Sequence, residues 1–81
     1  MEREVIITNL INNITSACKE RNISVNEFCR KCNVHKSVMD NLKRNSIPSI
    51  DTIANIAIFL DITIDELIGL RRGKQNDKNN R

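Results

Sequence analysis

Residues 24–45, SVNEFCRKCNVHKSVMDNLKRN, hold two short amphipathic segments that meet across one turn. Ser24 and Glu27 have the spacing of a capping box, in which the serine oxygen accepts a backbone N–H and the glutamate reaches back to the start of the helix. The apolar positions that follow recur at helical spacing and are Phe28, Cys29 and Cys32. The sequence therefore predicts a helix that begins at Ser24.

A turn over Asn33–His35 is predicted next, because asparagine tolerates the left-handed backbone conformation in which many helices end. A second helix is then expected from His35 to about Arg44. Its inward positions are Val38, Met39 and Leu42. Its outward face consists of Lys36, Ser37, Asp40, Asn41 and Arg44. This outward face is the candidate functional surface.

A longer amphipathic helix is predicted before this pair, from Glu4 to Arg21. One face carries an apolar stripe formed by Ile7, Leu10, Ile11, Ile14, Ala17 and Cys18. The opposite face is expected to be solvated and carries Thr8, Asn9, Asn12 and Asn13. The helix is expected to stop at Asn22, and Ile23 then packs as an apolar staple into the segment that begins at Ser24.

Two further helices are predicted after the pair. Pro48 forbids helical continuation through the intervening loop, and Ser49 is placed to cap a fourth helix. The buried stripe of the fourth helix is predicted to contain Ile50, Ile53, Ile56, Ala57 and Leu60. This helix is expected to be central in the core. Thr63 and Glu66 form a second capping box that opens a short fifth helix, which should end at Gly69.

Length and composition indicate one all-α domain. The chain has 81 residues, two glycines, one proline and no tryptophan or tyrosine, and its hydrophobic share of 40% is mostly aliphatic. After Leu70 the segment RRGKQNDKNNR contains no apolar residue, so burial cannot offset the entropy of ordering it. The sequence therefore predicts a domain over residues 1–70 and a disordered basic tail over residues 71–81.

Charge is segregated along the chain, although the formal net charge is +3. Residues 30–44 hold five basic side chains against Asp40, whereas residues 45–70 hold four acidic side chains and no lysine or arginine. The tail again is basic, with five basic side chains against Asp77. A basic face opposite an acidic one orients a small protein on a polyanion.

The side-chain inventory argues against an enzyme. The chain has one histidine, no glycine-rich phosphate loop and no nucleophile with a base and an orienting group beside it. We therefore expect no cofactor and no small-molecule substrate. No apolar run approaches the ~20 residues needed to cross a bilayer, so no membrane partner is expected either.

The three cysteines are an odd number and follow no N-terminal signal segment, which favours reduced thiols in a cytoplasm. Cys29 and Cys32 precede His35 at a spacing that invites a metal or redox interpretation. However, both thiols lie on the inward stripe of an interior helix, and a fourth ligand would have to come from Cys18. Packing as small hydrophobes is therefore favoured, and no metal is expected.

Taken together, these helices resemble the lambda-repressor and Cro-like helix-turn-helix family of phage repressors and bacterial regulators. The resemblance covers roughly residues 8–70. The matching pieces are Ser24-x-x-Glu27-Phe28, Val34-x-x-Ser37, Asn41-Leu42, Pro48-Ser49-Ile50-Asp51-Thr52-Ile53 and Leu60-x-Ile62-x-Ile64-Asp65-Glu66-Leu67-Ile68-Gly69. It implies a five-helix DNA-binding domain with the helix-turn-helix at helices 2 and 3, in which helix 3 reads the major groove.

The resemblance implies roles for particular side chains, because helix-turn-helix proteins insert the N-terminal half of the third helix into the major groove. Base contacts are expected from Lys36, Ser37, Asn41, His35 and Asp40. Phosphate contacts are expected from Ser24, Lys43, Arg44, Asn45 and Ser46. The alternative for both sets is an ordinary solvated face. His35 could instead cap the helix, and Asp40 could instead pair with Lys36 or Arg44.

The chain departs from the family pattern at several positions of the 24–45 stretch. Val25 stands where the family often has a glutamine that helps to hold DNA, so one polar contact is lost. Cys29 replaces a smaller residue where two helices cross closely, and Asn33 replaces the turn glycine. The segment 43–45, Lys-Arg-Asn, replaces Glu-Asn-Gly and adds positive charge near the expected phosphate path.

The leading hypothesis is a sequence-specific transcriptional regulator, of the phage or prophage repressor or Cro type, that binds a two-fold duplex DNA operator as a homodimer. Two copies would read half-sites one helical turn, ~34 Å, apart. The expected dimer surface is the fifth helix and its approach, through Phe59, Ile62, Ile64 and Leu70, with packing in the core as the alternative for these apolar residues. The alternative is a protein-interaction module, such as an antitoxin subunit, that retains the fold. Val25 adds some weight to this alternative.

Overall fold

The computed structural model describes residues 2–70 of the chain. These residues form five α-helices and no strand: α1 Arg3–Arg21, α2 Val25–Cys32, α3 Val38–Lys43, α4 Ile50–Leu60 and α5 Ile64–Ile68. The all-α, five-helix prediction is thus confirmed, and the helix pair of the 24–45 stretch becomes α2 and α3. The predicted disordered tail, residues 71–81, lies outside the described residues.

Hydroxyl side chains begin three of these helices. Ser24 Oγ accepts the backbone N–H of Glu27 at 3.1 Å, and Ser49 caps α4 in the same way. At the start of α5, Thr63 Oγ accepts the N–H of Glu66 at 3.1 Å, while the Glu66 carboxylate accepts the N–H of Thr63 at 3.0 Å. The predicted capping box of α5 is therefore complete, whereas the described contacts of α2 contain the serine half alone.

Left-handed residues end four of the described helices. The residues and their φ angles are Asn22 at 56°, Asn33 at 62°, Asp61 at 58° and Gly69 at 86°. Asparagine, aspartate and glycine adopt this region at lower cost than other residues do. These breaks lie where the sequence predicts them.

The long helix α1 has the central position in the fold. It packs against α2, α3 and α5, while α4 packs against α2 and α5. The most deeply buried large side chains are Phe28, Leu10, Ile14, Leu42, Ile56 and Leu67. The core therefore lies along α1, rather than along α4 as the sequence predicts.

One residue of the predicted α4 stripe lies outside the core. Ile53, Ile56 and Ala57 are buried, but Ile50 is 64% exposed. Positions 50 and 58 share a face of the helix at i and i+8, and Ile58 is 75% exposed as well. An apolar face of α4 therefore remains uncovered within the described residues.

Two asparagines of α1 connect it to the end of α5. Asn9 Nδ2 donates to the carbonyl of Ile68 at 3.1 Å, and Asn13 Nδ2 donates to the carbonyl of Leu67 at 2.9 Å. These carbonyls belong to the last turn of α5, which has no intrahelical donor for them. The prediction that Asn9 and Asn13 lie on a solvated face is therefore wrong, because they are partly buried as caps of another helix. At Gly69 an added Cβ would overlap the Asn9 amide.

Candidate nucleic-acid interface

A short turn joins α2 to α3 and leaves one side of α3 open. The N–H of Asn33 donates to the carbonyl of Arg30 at 3.1 Å, and the N–H of Val34 donates to that of Cys29 at 2.9 Å. These bonds use carbonyls that the last turn of a helix leaves free. The predicted inward residues of α3 are all buried: Val38, Met39 and Leu42. The opposite side of α3 is therefore available to a partner.

The helix α3 begins at Val38, three residues later than the sequence predicts. His35 Nδ1 accepts the backbone N–H of Ser37 at 3.1 Å, and the carbonyl of His35 accepts the N–H of Val38 at 3.1 Å. A bond from a side chain to the backbone two residues on holds a turn and competes with helical geometry. His35 therefore lies before the helix as a cap of its entry turn, and Ser37 is the N-cap residue.

Three of the predicted base-contacting side chains form a hydrogen-bonded row. His35 Nδ1 lies 2.8 Å from Ser37 Oγ, and Asn41 Nδ2 donates to Ser37 Oγ at 3.4 Å. His35 and Asn41 are exposed, and Ser37 is half-buried. These bonds restrict the side chains before a partner arrives, which lowers the entropy cost of binding. We call His35, Ser37 and Asn41 the polar row.

The remaining outward residues of this surface are charged and exposed. Lys36 precedes α3, Asp40 lies on its outer side, and Arg44 follows its last turn. Among residues 2–70 an ion pair joins Arg21 to Glu20, and none joins Asp40 to Lys36 or Arg44. The alternative in which Asp40 neutralises one of these two cations is therefore not seen.

The predicted phosphate contacts after α3 lie together on one exposed turn. Asn45 adopts a positive φ of 68°, and its N–H donates to the carbonyl of Leu42 at 2.9 Å. The N–H of Ser46 donates to the carbonyl of Asn41 at 2.9 Å. This closed turn leaves the four side chains Lys43, Arg44, Asn45 and Ser46 exposed. We call residues 43–46 the basic turn.

Ser24, the fifth predicted phosphate contact, lies on a different element. It is exposed at the N-terminus of α2, where its hydroxyl already accepts the N–H of Glu27. The described hydrogen bonds do not connect it to the basic turn. Any contact of Ser24 with an anion would be made from the start of α2, where backbone N–H groups point outward.

Residues 13–72 match the family model described as the Cro/C1-type HTH DNA-binding domain. This match spans more than half of the chain and includes every residue of α2 to α5. The chain belongs to the Cro/C1-type HTH DNA-binding family. Searches of the curated proteins and of the solved structures returned no match.

The surface of this Cro/C1-type domain includes residues that the sequence did not single out. Arg3 Nε donates to the carbonyl of Asn45 at 3.1 Å, so the first turn of α1 lies against the basic turn. A groove beside the α2–α3 turn is lined by Asn26, Cys29, Arg30, Asn33, Val34, His35 and Lys36. The charge of Arg30 was visible in the sequence, whereas the contact of Arg3 spans 42 residues and has no local signal.

The thiols of the Cro/C1-type domain are part of its core. Cys18, Cys29 and Cys32 are free and buried. Burial raises the pKa of each thiol, and that of Cys32 rises to about 11. Within the described residues, no group of three or more histidine, cysteine, aspartate or glutamate side chains could hold a metal ion. A protonated, buried thiol is a small apolar side chain and a poor nucleophile.

None of the described helices of the Cro/C1-type domain is long and apolar enough to span a membrane.

Proposed function

We propose that this Cro/C1-type domain is a sequence-specific transcriptional regulator of the phage or prophage repressor or Cro type, which reads duplex DNA with α3. The observation that carries the proposal is the polar row, whose side chains are hydrogen-bonded across the entry turn and first turn of α3, with His35 and Asn41 exposed. In this motif the N-terminal half of the recognition helix enters the major groove. We take residues 1–70 as the DNA-binding domain and residues 71–81 as a tail outside it.

In the proposed complex, Asn41 and Lys36 choose the sequence. A carboxamide can pair with both N6 and N7 of adenine, and an ammonium group can donate to O6 and N7 of guanine. Asp40 offers acceptors alone, which suits the N4 amino group of cytosine and disfavours a nearby phosphate. His35 and Ser37 support the position of Asn41 and add further donors to the groove.

The basic turn, with Ser24 at the start of α2, holds the DNA backbone in the same proposal. Lys43 and Arg44 carry the charge, and Asn45 and Ser46 add neutral donors. Contacts to phosphate release counterions and act on every sequence alike. They therefore set register and affinity, while the polar row and its charged neighbours set specificity.

To test this proposal, the purified protein is used to select a preferred duplex from random sequences. The binding of two substituted proteins to that duplex and to an unrelated one is then compared. Asn41→Ala should cost ~1–3 kcal/mol on the selected duplex and little on the other. Arg44→Ala should weaken binding to both and reduce the slope of log K against log salt by about one.

A matched control for Asn41→Ala is Asn12→Ala, which removes an exposed amide from α1. Asn12→Ala should bind both duplexes as the unchanged protein does. Recovery of no preferred duplex, or equal effects of the Asn41 and Arg44 substitutions on every duplex, would show that specific readout by α3 is wrong.

The proposal includes a homodimer on a two-fold operator, because one module makes few base contacts. Of the four residues expected at its surface, Leu70 is 38% exposed, while Phe59 packs edge-on against Phe28 with ring centroids 5.4 Å apart. We therefore place the contact near the end of α5, with Ile62 and Ile64 half-buried beside it. A monomer mass from sedimentation equilibrium, both with and without the operator duplex, would contradict the proposed homodimer.

The second candidate function is a protein-interaction module, such as an antitoxin subunit. The observation that favours it is the uncovered face of α4, where Ile50 and Ile58 are exposed. Exposed apolar side chains on one helix face are typical of protein contacts. If this function is correct, a toxin-like protein encoded beside the gene should bind the unchanged domain, Ile58→Asp should abolish that binding, and Asn41→Ala should leave it unchanged.

A further inference from the structure

We propose that Arg3, in the first turn of α1, is a further contact of this domain with the DNA backbone, made beside the basic turn. This inference rests on the proposed DNA-binding function. Arg3 lies outside the helix-turn-helix and outside residues 13–72, which match the family.

The position of Arg3 is fixed by one hydrogen bond. Its Nε–H donates to the carbonyl oxygen of Asn45 at 3.1 Å, and both residues are exposed. Asn45 directly follows Lys43 and Arg44. The bond uses the inner N–H of the guanidinium and leaves the donors of its terminal amino groups for another acceptor. A third cationic group is therefore held at the basic turn.

Helix electrostatics also favour a role for Arg3 outside its own helix. A cation in the first turn of α1 is opposed by the dipole of α1, whereas the Asn45 carbonyl that Arg3 bonds lies two residues past the C-terminal end of α3, the end at which a helix dipole favours a cation. Glu2 and Glu4 flank Arg3 in the sequence, but among the described residues neither forms an ion pair with it. The charge of the guanidinium thus remains available to an anion.

Phosphate is the acceptor that fits this arrangement. A guanidinium presents donors in a planar fork that matches phosphate oxygens, and a bond to Nε fixes the plane of that fork. Lys43 and Arg44 are already proposed to follow the DNA backbone from the same turn. Arg3 would extend this set from the N-terminus of α1.

The test compares Arg3→Met, Arg3→Lys and the control Lys19→Met by titrating selected and unrelated duplexes at several salt concentrations. Arg3→Met should weaken binding to both duplexes alike and reduce the slope of log K against log salt by about 0.9. Arg3→Lys keeps the charge and should keep the slope, but it should bind more weakly because the fork is lost. Lys19→Met removes one charge from the exposed far end of α1 and should leave the slope unchanged.

The outcomes separate this inference from the function on which it rests. If Arg3→Met keeps the full slope while Arg44→Ala lowers it, Arg3 does not contact phosphate and the proposed function stands. If Lys19→Met lowers the slope as much as Arg3→Met does, the effect is one of net charge and the inference is wrong. If the unchanged protein shows no salt-dependent duplex binding, both fail. Circular dichroism of each variant confirms that the helices are retained.

Discussion

His35 is the residue at which side-chain chemistry most alters the predicted binding surface. Its ring accepts the N–H of Ser37 and so delays the start of α3 to Val38. Because Nδ1 accepts this bond, a neutral ring carries its proton on Nε2. The residue can thus cap the entry turn and still present a donor, so the two roles considered for it from the sequence are compatible.

Replacing His35 should therefore lower the stability of the folded domain, apart from any effect on DNA binding. His35→Ala removes the acceptor of the Ser37 N–H and should lower the free energy of unfolding by ~0.5–2 kcal/mol, as the loss of other caps does. His35→Asn should recover much of this loss, because a short amide side chain can accept from the N–H two residues on.

Urea denaturation measures both variants, with Lys36→Ala as the control at an exposed neighbour outside the hydrogen-bonded row. An unfolding midpoint for His35→Ala equal to that of the unchanged protein would contradict the capping role.

At the scale of helices, the contact between α1 and α5 is held by partly buried hydrogen bonds as well as by apolar packing. Asn13→Ala removes the donor to the Leu67 carbonyl and should cost ~1–3 kcal/mol, because a partly buried acceptor is left without its partner. The free energy of unfolding from urea titration, together with faster amide exchange in α5, measures the effect. Asn12→Ala, on the exposed side of the same helix, should change stability by less than ~0.5 kcal/mol. Equal costs for the two substitutions would show that the Asn13 bond contributes nothing.

The helix ends could be predicted from the sequence because the interactions that set them are local. Asn22, Asn33 and Asp61 end helices, and Thr63 begins one, through bonds to residues no more than a few positions away. The same locality explains why the exposure of Asp40 and Asn41 within α3 was predictable.

Other features depend on parts of the chain that are distant in sequence. Asn9 bonds a carbonyl 59 residues away, so periodicity within α1 places it on an apparently solvated face. Arg3 lies before the predicted helix and bonds a carbonyl 42 residues away, so it has no local signal. The exposure of Ile50 also depends on distant parts of the chain, since the apolar periodicity of one helix does not show where the neighbouring helices end. The start of α3 was missed for another reason: the sequence left open whether His35 caps the helix, and the bond from the Ser37 N–H to its ring places it in the entry turn.

At the scale of the whole molecule, charge separates the 30–44 segment from the 45–70 segment. The basic residues of the 30–44 segment lie around the α2–α3 motif, and the four acidic residues of the 45–70 segment are all exposed. A duplex attracts the first set and repels the second, so the field of the molecule orients it before contact. This polarity supports α3, rather than the α4–α5 surface, as the side that approaches DNA.

Global stability should fall in alkaline solution because of the buried thiols. An unfolded cysteine ionises near its ordinary pKa of 9.0, whereas burial holds the pKa of Cys32 at about 11. Between these values the unfolded chain has lost the proton and the folded chain keeps it, so unfolding becomes easier as pH rises. The contribution of the Cys32 thiol to the free energy of unfolding is complete below pH 9 and is lost as the pH rises through 11.

Urea midpoints measured from pH 8 to pH 11 test this expectation, with Cys32→Ala as the comparison. The variant should be less stable at pH 8, because it leaves a small cavity, but its stability should depend less steeply on pH. A slope identical to that of the unchanged protein would show that Cys32 is not the group responsible.

The contacts of α1 have a mechanical consequence for the proposed dimer. The helix is 19 residues long, or ~28 Å, and it touches the basic turn through Arg3 and the end of α5 through Asn9 and Asn13. A single stiff element thus connects the surface proposed to hold DNA with the surface proposed to hold a second copy. Hinge bending between these surfaces would require α1 itself to bend. A dimer of such units would tolerate little variation in operator spacing. One inserted base pair, which also rotates one half-site about the duplex axis, would prevent the two copies from binding both half-sites at once.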